Sequence, residues 1–134
     1  LLYTVLSTSV IAQYPSKNDN SYEAKMKRTE WHREARFGMF IHFGLYSIPA
    51  RAEWLKSEEK ISNETYDALY FKDFNPYAFD AKEWARIAKQ AGMKYVVLTA
   101  KHHEGFALWD SKLTDYKITN TPFKRDLIKE YVEA

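Results

Sequence analysis

Two short apolar runs, at residues 37–41 and 95–100, constrain the fold of this 134-residue sequence more than any other feature. Neither run alternates with polar residues, which is typical of strands covered on both faces within a parallel sheet flanked by helices. A buried helix is the alternative for such short runs, but the glycine and polar residues close to them favour strands. The sequence therefore predicts two strands of one parallel sheet.

Helical patterns follow in the positions that such a sheet requires. Asp80 predicts the N-cap of a helix, with Glu83 as its capping-box partner, and Gly92 predicts the end of that helix. Thr121 and Pro122 predict the start of a second helix. The apolar stripes of the two helices consist of Trp84, Ile87, Ala88 and Ala91, and of Phe123, Leu127, Ile128, Tyr131 and Val132. The order of strand, helix, strand and helix predicts an α/β fold.

Chain length then limits the architecture. A complete (β/α)8 barrel takes ~250 residues, so a chain of 134 residues supplies about two of the eight units. We expect the N-terminal part of a (β/α)8 TIM-like barrel, incomplete in this chain. A doubly wound sheet is the alternative, although neither strand is followed by a glycine-rich phosphate loop.

Charge and composition exclude several classes of protein. The 20 basic and 18 acidic residues are interspersed, so no basic patch indicates a nucleic acid or a membrane surface as partner. The lack of cysteine excludes disulfides and thiolate metal sites. The four Trp, ten Tyr and eight Phe predict a large aromatic core, or rings that stack on the apolar faces of a ligand such as a pyranose.

The first residues differ from the rest of the chain. Residues 1–12 are apolar and uncharged, and they are fewer than the ~20 residues that a membrane span needs. They end in small or apolar residues of the kind that signal peptidase cleaves after. We expect the remnant of a signal peptide and therefore export, to the medium or to a periplasm; a buried strand is the alternative. Residues 13–30 predict a polar N-terminal linker that leads into the folded part.

Three of the four histidines follow the predicted strands: His42 follows the first, and His102 and His103 follow the second. Side chains at the carboxyl ends of barrel strands face the active site, and a neutral imidazole can donate or accept a hydrogen bond. Loop histidines satisfied by the backbone are the alternative. A metal is disfavoured, because a catalytic zinc needs three converging ligands and adjacent side chains point to opposite faces unless the strand has already turned. The remaining histidine, His32, is expected to be exposed and incidental.

An acid and an indole stand next to each other in the loop after the first strand, at Glu53 and Trp54. A carboxylate that takes hydroxyls beside a ring that covers C–H bonds is a common sugar-binding arrangement. A surface acid next to an anchoring tryptophan is the alternative. For Trp109 and Asp110 we favour structural roles, as a core anchor and a turn former.

Several of these motifs together resemble the α-L-fucosidases of glycoside hydrolase family 29. The segments that recur there in the same order are Phe37–Ser47, Glu53–Trp54, Phe74–Pro76, Tyr95–Phe106 and Trp109–Ser111. The family usually has Trp where Phe43 stands, and it often has Asp where Glu104 stands. The resemblance implies that residues 31–134 are the truncated first part of a glycoside hydrolase catalytic barrel.

The resemblance also implies an activity, an exo-acting retaining hydrolysis of terminal α-L-fucose from a fucosylated oligosaccharide or glycoprotein glycan, without a cofactor. It implies that His42, His102, His103, Glu53 and Trp54 contact the sugar, with Glu53 considered for an acid role in some members. The nucleophile of the family is an Asp on a later strand, beyond residue 134, so the chain alone is expected to be inactive. A fucose-binding homologue that has lost the chemistry and a metal-dependent barrel hydrolase are the alternatives.

Overall fold

The computed structural model describes residues 20–134, which form two compact units that divide after Glu34. The predicted signal-peptide remnant at residues 1–12 lies outside the described residues. Part of the predicted linker is helical instead, because α1 spans Tyr22–Arg28 and α2 spans Glu30–Ala35. Ser21 caps α1 by accepting a hydrogen bond from the backbone N–H of Ala24 at 3.2 Å. An acidic first turn and a basic last turn complement the dipole of α1. The same charges make the segment polar, which is why its composition predicts a linker.

The larger unit contains a two-stranded parallel sheet. Strand β1 spans Met39–Ile41 and strand β2 spans Val96–Leu98, with Met39 opposite Val96 and Ile41 opposite Leu98. The predicted parallel pairing is confirmed, although both strands are shorter than the apolar runs. The chain between them forms a 3₁₀ turn at Leu45–Ser47, α3 at Leu55–Glu58, α4 at Asn63–Tyr66, a π-helical turn at Asp67–Phe71 and α5 at Ala81–Gln90.

Helix α5 begins where the sequence predicts. Asp80 accepts a hydrogen bond from the backbone N–H of Glu83 at 3.0 Å, and Gly92 follows the helix at a φ of +79°. The predicted reciprocal bond from the Glu83 side chain is replaced by an ion pair, since that carboxylate contacts Arg86 at 2.6 Å. Only half of the predicted capping box is therefore formed.

The last helix starts later than predicted. Thr121 closes a 3₁₀ turn at Ile118–Asn120 through a 2.6 Å hydrogen bond to the Ile118 carbonyl, and Lys124 has a φ of +56°. The left-handed backbone at Lys124 interrupts a helix, so α6 spans only Leu127–Glu133. Asp126 is its N-cap and accepts a hydrogen bond from the backbone N–H of Lys129 at 2.9 Å.

The core of the larger unit is rich in aromatic rings, as the composition suggested. Trp84 of α5 meets Phe43 and Phe79 edge to face, with ring centroids 5.7 and 5.0 Å apart. The buried cluster consists of Leu45, Tyr66, Phe74, Phe79, Ala81, Phe106, Leu108, Ile118, Phe123 and Leu127. Burial of this cluster holds the loops after β1 and β2 against α5 and α6.

Within residues 20–134, one face of the sheet lies against a helix and the other is accessible. Met39 and Ile41 lie on the side of Trp84 and Ile87 of α5, with which they line a small apolar cavity. The opposite face carries Phe40, 65% exposed, and Val97, 39% exposed. None of the helices among residues 20–134 is long and apolar enough to cross a membrane.

Candidate functional site

The parallel pairing of β1 and β2 brings their following loops to one edge of the sheet. His42 comes directly after β1, and His102 lies four residues beyond the end of β2. Their ring centroids are 5.3 Å apart in an edge-to-face arrangement. The structure therefore brings together imidazoles that the sequence separates by 60 residues.

Trp54 extends this group of rings from the loop that follows β1. Its indole stacks on the imidazole of His103 at 4.3 Å with an interplanar angle of 13°, and it meets His102 edge to face at 5.1 Å. The indole is 47% exposed, and His42 and His103 are exposed as well. We call these four residues, His42, Trp54, His102 and His103, the ring cluster.

Hydrogen bonds of His103 hold the loop against the end of β2. Its Nε2 lies 3.1 Å from the Glu53 carbonyl oxygen, and its Nδ1 lies 3.2 Å from the Ser57 hydroxyl. A carbonyl only accepts, so Nε2 carries the hydrogen and Nδ1 accepts from Ser57. Both ring nitrogens of His103 are thereby bound within the protein.

The alternation of strand side chains does not separate His102 from His103. Strand β2 ends at Leu98, so the alternation of a strand does not apply to the loop, and the two rings lie 4.9 Å apart. With Glu104 they place three potential metal-ligand atoms within 4.8 Å of one another. His103 has no free lone pair while it keeps its two hydrogen bonds, however, which leaves fewer than the three ligands of a catalytic zinc.

The Glu53 carboxylate lies beside the ring cluster. It contributes to a cavity of about 270 Å³ that His42, Tyr46 and Arg51 also line. Burial lowers the pKa of His102, and the neighbouring His103 and His42 lower it further. The negative charge of Glu53 opposes this lowering only in part. His102 is therefore a neutral imidazole at pH 7, able to donate one hydrogen bond and to accept another.

A buried polar layer underlies the rings, and no pattern in the sequence indicates it. Tyr46 Oη, His102 Nδ1 and Glu104 Oε2 are buried, and none of them has a hydrogen-bond partner among residues 20–134. Burial raises the pKa of the Tyr46 phenol, and the nearby Glu104 and Glu53 carboxylates raise it further. Burial also raises the pKa of Glu104. In the sequence, Glu104 stands out only as a departure from the family motif.

The remaining candidates lie outside the ring cluster, as the sequence suggested. Asp110 accepts hydrogen bonds from Lys112, Lys117 and Thr119, which hold the pKa of its carboxyl well below the usual range. Trp109 is half-buried. His32 is exposed in α2, where it meets Trp31 edge to face. The local hydrogen bonds of Asp110 fit its predicted role in a turn.

The fold and the ring cluster define a class of α/β protein that presents its site at the carboxyl ends of parallel strands. The sequence profile of the family Alpha-L-fucosidase matches residues 4–134. The chain belongs to this family, glycoside hydrolase family 29, as its motifs indicated.

Solved structures and curated relatives agree with this assignment. The α-L-fucosidase isoenzyme 1 of Paenibacillus thiaminolyticus is 59% identical, with a TM-score of 0.78 over 81% of this chain and 26% of its own. A family 29 α-L-fucosidase of Bacteroides thetaiotaomicron, trapped as a covalent intermediate with 2-fluoro-fucosyl fluoride, is 46% identical, with a TM-score of 0.75 over 81% of this chain and 27% of its own. The plasma α-L-fucosidase of Homo sapiens is 37% identical over 116 residues, 75% of this chain and 25% of its own. The chain thus spans about a quarter of the length of these relatives.

Proposed function

We propose that the complete protein containing these residues is an exo-acting, retaining α-L-fucosidase that removes terminal α-L-fucose from oligosaccharides or glycoprotein glycans. The observation that carries this proposal is the ring cluster, in which His42, His102 and Trp54 meet at the ends of two parallel strands. Membership of the α-L-fucosidase family supports the choice of fucose over other sugars.

The chemistry of the cluster suits a sugar. The neutral imidazole of His102 and the ring of His42 offer nitrogens for hydroxyls, and the exposed indole of Trp54 offers an apolar surface for C–H bonds. The Glu53 carboxylate beside them accepts hydroxyl hydrogens or serves as an acid. His103 contributes through its stacking on Trp54, and it reaches a hydroxyl directly only if it releases Ser57 or the Glu53 carbonyl.

Retaining hydrolysis requires two carboxyl groups about 5–5.5 Å apart, one as nucleophile and one as acid. Next to the ring cluster, Glu53 is accessible, whereas the side chain of Glu104 is only 1% exposed. We therefore assign the nucleophile to an Asp on a later barrel strand, as the family resemblance implies. The covalent intermediate trapped in the Bacteroides relative supports a retaining course.

The uncovered face of the sheet supports a (β/α)8 barrel around this site. Phe40 and Val97 project from neighbouring strands on the face opposite α5, and both are exposed. In a barrel such residues fill the interior together with side chains of the other strands. Phe40 also stacks on His42 at 5.1 Å, which places this face directly below the ring cluster.

We also propose that the protein is exported, with residues 1–12 as the remnant of its signal peptide. The support is the apolar, uncharged sequence of those residues. Amino-terminal sequencing of protein secreted by the native host tests this. A first residue close after Ala12 is the expected result, and residues 1–12 still attached would contradict it.

The activity is tested with the purified complete protein and an aryl α-L-fucoside. We expect release of nitrophenol from a nitrophenyl fucoside, and we expect EDTA not to reduce its rate. The variant His102→Ala should have a higher KM, because a hydrogen bond worth ~0.5–1.5 kcal/mol is lost. The matched control is His32→Ala, an exposed histidine in α2. No hydrolysis despite bound fucose would favour the inactive homologue, and loss of activity with the chelator would favour the metal hydrolase.

A further inference from the structure

Beneath the ring cluster, a carboxyl group faces the inner edge of one of its imidazoles. Glu104 Oε2 and His102 Nδ1 are 3.6 Å apart, and the two side chains are 1% and 11% exposed. Neither atom has a hydrogen-bond partner among residues 20–134. At this separation a shift of a few tenths of an ångström closes a hydrogen bond, and contacts of this kind often tighten when a substrate binds.

We propose that Glu104 is a positioning residue that accepts a hydrogen bond from Nδ1–H of His102 and so keeps Nε2 of that ring as an acceptor for a sugar hydroxyl. This inference rests on the proposed function for the identity of the ligand. It assigns Glu104 no contact with the sugar.

The direction of the imidazole supports this role. Nδ1 is fully buried, so the residual exposure of the His102 ring lies on its other atoms, among which is Nε2. The rings of His42 and Trp54 lie 5.3 and 5.1 Å from that of His102, so both neighbouring rings of the cluster meet the same imidazole. In a neutral imidazole one nitrogen donates and the other accepts, and the partner of one nitrogen decides the state of the other. Without Glu104, nothing in the described part of the chain holds the hydrogen on Nδ1.

The surroundings of Glu104 offset part of the effect of burial on its carboxyl group. Burial raises the pKa of Glu104, while His103 and Lys56 act to lower it. Lys56 lies nearby with its ammonium over the ring of Tyr66, 5.0 Å from the centroid. Ideal placement of a Cβ on Gly44 brings it within 3.5 Å of Glu104 Oε1, so the loop after β1 packs closely on this carboxylate.

Three substitutions in the complete protein separate the hydrogen bond from packing. Glu104→Leu removes the acceptor at similar volume, Glu104→Gln keeps an acceptor without charge, and Glu104→Asp keeps the charge on a shorter side chain. Glu58→Gln, an exposed carboxylate on α3, is the control. For each protein we would measure the tautomer of His102 by ¹⁵N NMR of histidine-labelled samples without sugar, the Kd for fucose, and the Tm. The His102 signals are assigned by their loss in His102→Asn.

We expect the Nδ1–H tautomer in the unsubstituted protein, in the control and in Glu104→Asp. In Glu104→Leu the hydrogen should move to Nε2 and the Kd for fucose should rise about tenfold, as expected for loss of a hydrogen bond to a charged group. The tautomer population and the Kd of Glu104→Gln should lie between those of Glu104→Leu and those of the unsubstituted protein. The Tm of Glu104→Leu should fall only slightly, since leucine fills a similar volume while His102 Nδ1 loses its one nearby acceptor.

Persistence of the Nδ1–H tautomer in Glu104→Leu would overturn the proposal, whatever happens to the affinity. An affinity loss that follows a fall in Tm, with the tautomer unchanged, would show a merely structural role and would overturn it too. If the unsubstituted protein neither binds fucose nor cleaves an aryl fucoside, the proposed function fails. The sugar-free tautomer measurement then still decides whether Glu104 holds His102.

Discussion

Adjacent histidines in this protein differ because their hydrogen-bond partners differ. Both ring nitrogens of His103 are bound, to Ser57 and to the Glu53 carbonyl, so this side chain braces the loop that carries Trp54. Among residues 20–134, Nδ1 of His102 makes no such bond, and it lies 3.6 Å from Glu104 Oε2. Two neighbouring residues of the same type therefore have different tasks in one site.

Removal of the Ser57 hydroxyl tests the bracing role of His103. Ser57→Ala should weaken fucose binding by about two- to tenfold, because a hydrogen bond worth ~0.5–1.5 kcal/mol no longer orients the ring that stacks on Trp54. Calorimetric titration of the complete protein with fucose measures the effect. Ser57→Thr, which keeps the hydroxyl, should bind as the unsubstituted protein does. Equal Kd values for the Ala and Thr variants would contradict this role.

The ionisation of His102 predicts a pH dependence of stability. Its pKa in the folded protein is lowered, first by burial and then by His103 and His42, whereas in the unfolded chain it titrates near ~6.5. Below ~6.5 the unfolded state therefore takes up a proton before the folded state does, and stability falls as the pH falls toward the lowered pKa. The stability is fully present above that window.

Thermal denaturation of the complete protein over this pH range checks the direction in which stability changes with pH. We expect the Tm to fall more steeply with decreasing pH in the unsubstituted protein than in His102→Asn, which has no imidazole at this position. Parallel curves for the two proteins would contradict the lowered pKa.

At the scale of elements, the contact between β1 and β2 depends on a glycine next to the first strand. A Cβ built on Gly38 would lie 2.5 Å from ring atoms of Tyr95, which immediately precedes β2. The backbone N–H of Met39 also donates a hydrogen bond to the Tyr95 carbonyl at 3.0 Å, so the two strands cannot move apart without breaking the sheet. The absence of a side chain at Gly38 is therefore a packing requirement.

Gly38→Ala should destabilise the protein by about 1–3 kcal/mol, the usual cost of overpacking. Tyr95→Ala in the same background should relieve most of that cost, because it removes the ring that the new methyl group meets. Gly92→Ala provides the comparison. At a φ of +79° in open space it should cost about 1 kcal/mol through the backbone alone, with no relief from Tyr95→Ala. Tm values of the single and double variants measure this coupling, and additive effects at Gly38 and Tyr95 would refute it.

At the scale of the whole molecule, the larger unit has a finished core on one side of its sheet and an uncovered apolar face on the other. The core cluster joins α5, α6 and the loops, while Phe40 and Val97 remain 65% and 39% exposed. Exposed apolar residues on paired strands favour association with further apolar surface. The site lies at the rim of this face, so whatever covers it also completes the surroundings of the ring cluster.

The isolated 134-residue chain should therefore bind a hydrophobic dye such as ANS and should release no nitrophenol from an aryl α-L-fucoside. The dye should bind through the face of Phe40 and Val97, and hydrolysis should fail because the site lacks a second accessible carboxyl group beside Glu53 among residues 20–134. The complete protein, measured in parallel, should hydrolyse the substrate and bind less dye per mole. Turnover by the purified isolated chain would refute this prediction.

The sequence by itself determined the features that depend on neighbouring residues. Asp80 and Gly92 mark the two ends of α5, because capping interactions act over a few residues. The apolar runs locate both strands, because a run is also a local feature of the sequence. The motifs around the strand ends identified the family, since a motif is defined by the order and spacing of its residues along the chain.

Only the tertiary structure decided features that depend on distant residues. Asp126 rather than Thr121 starts α6, because its carboxylate also binds the backbone N–H of Asp110 at 2.9 Å. The burial of Glu104 beneath His102 depends on packing between loops that follow different strands, and so does the bracing of His103 by Ser57. No periodicity encodes such contacts, because their energies depend on distances in space and not along the chain.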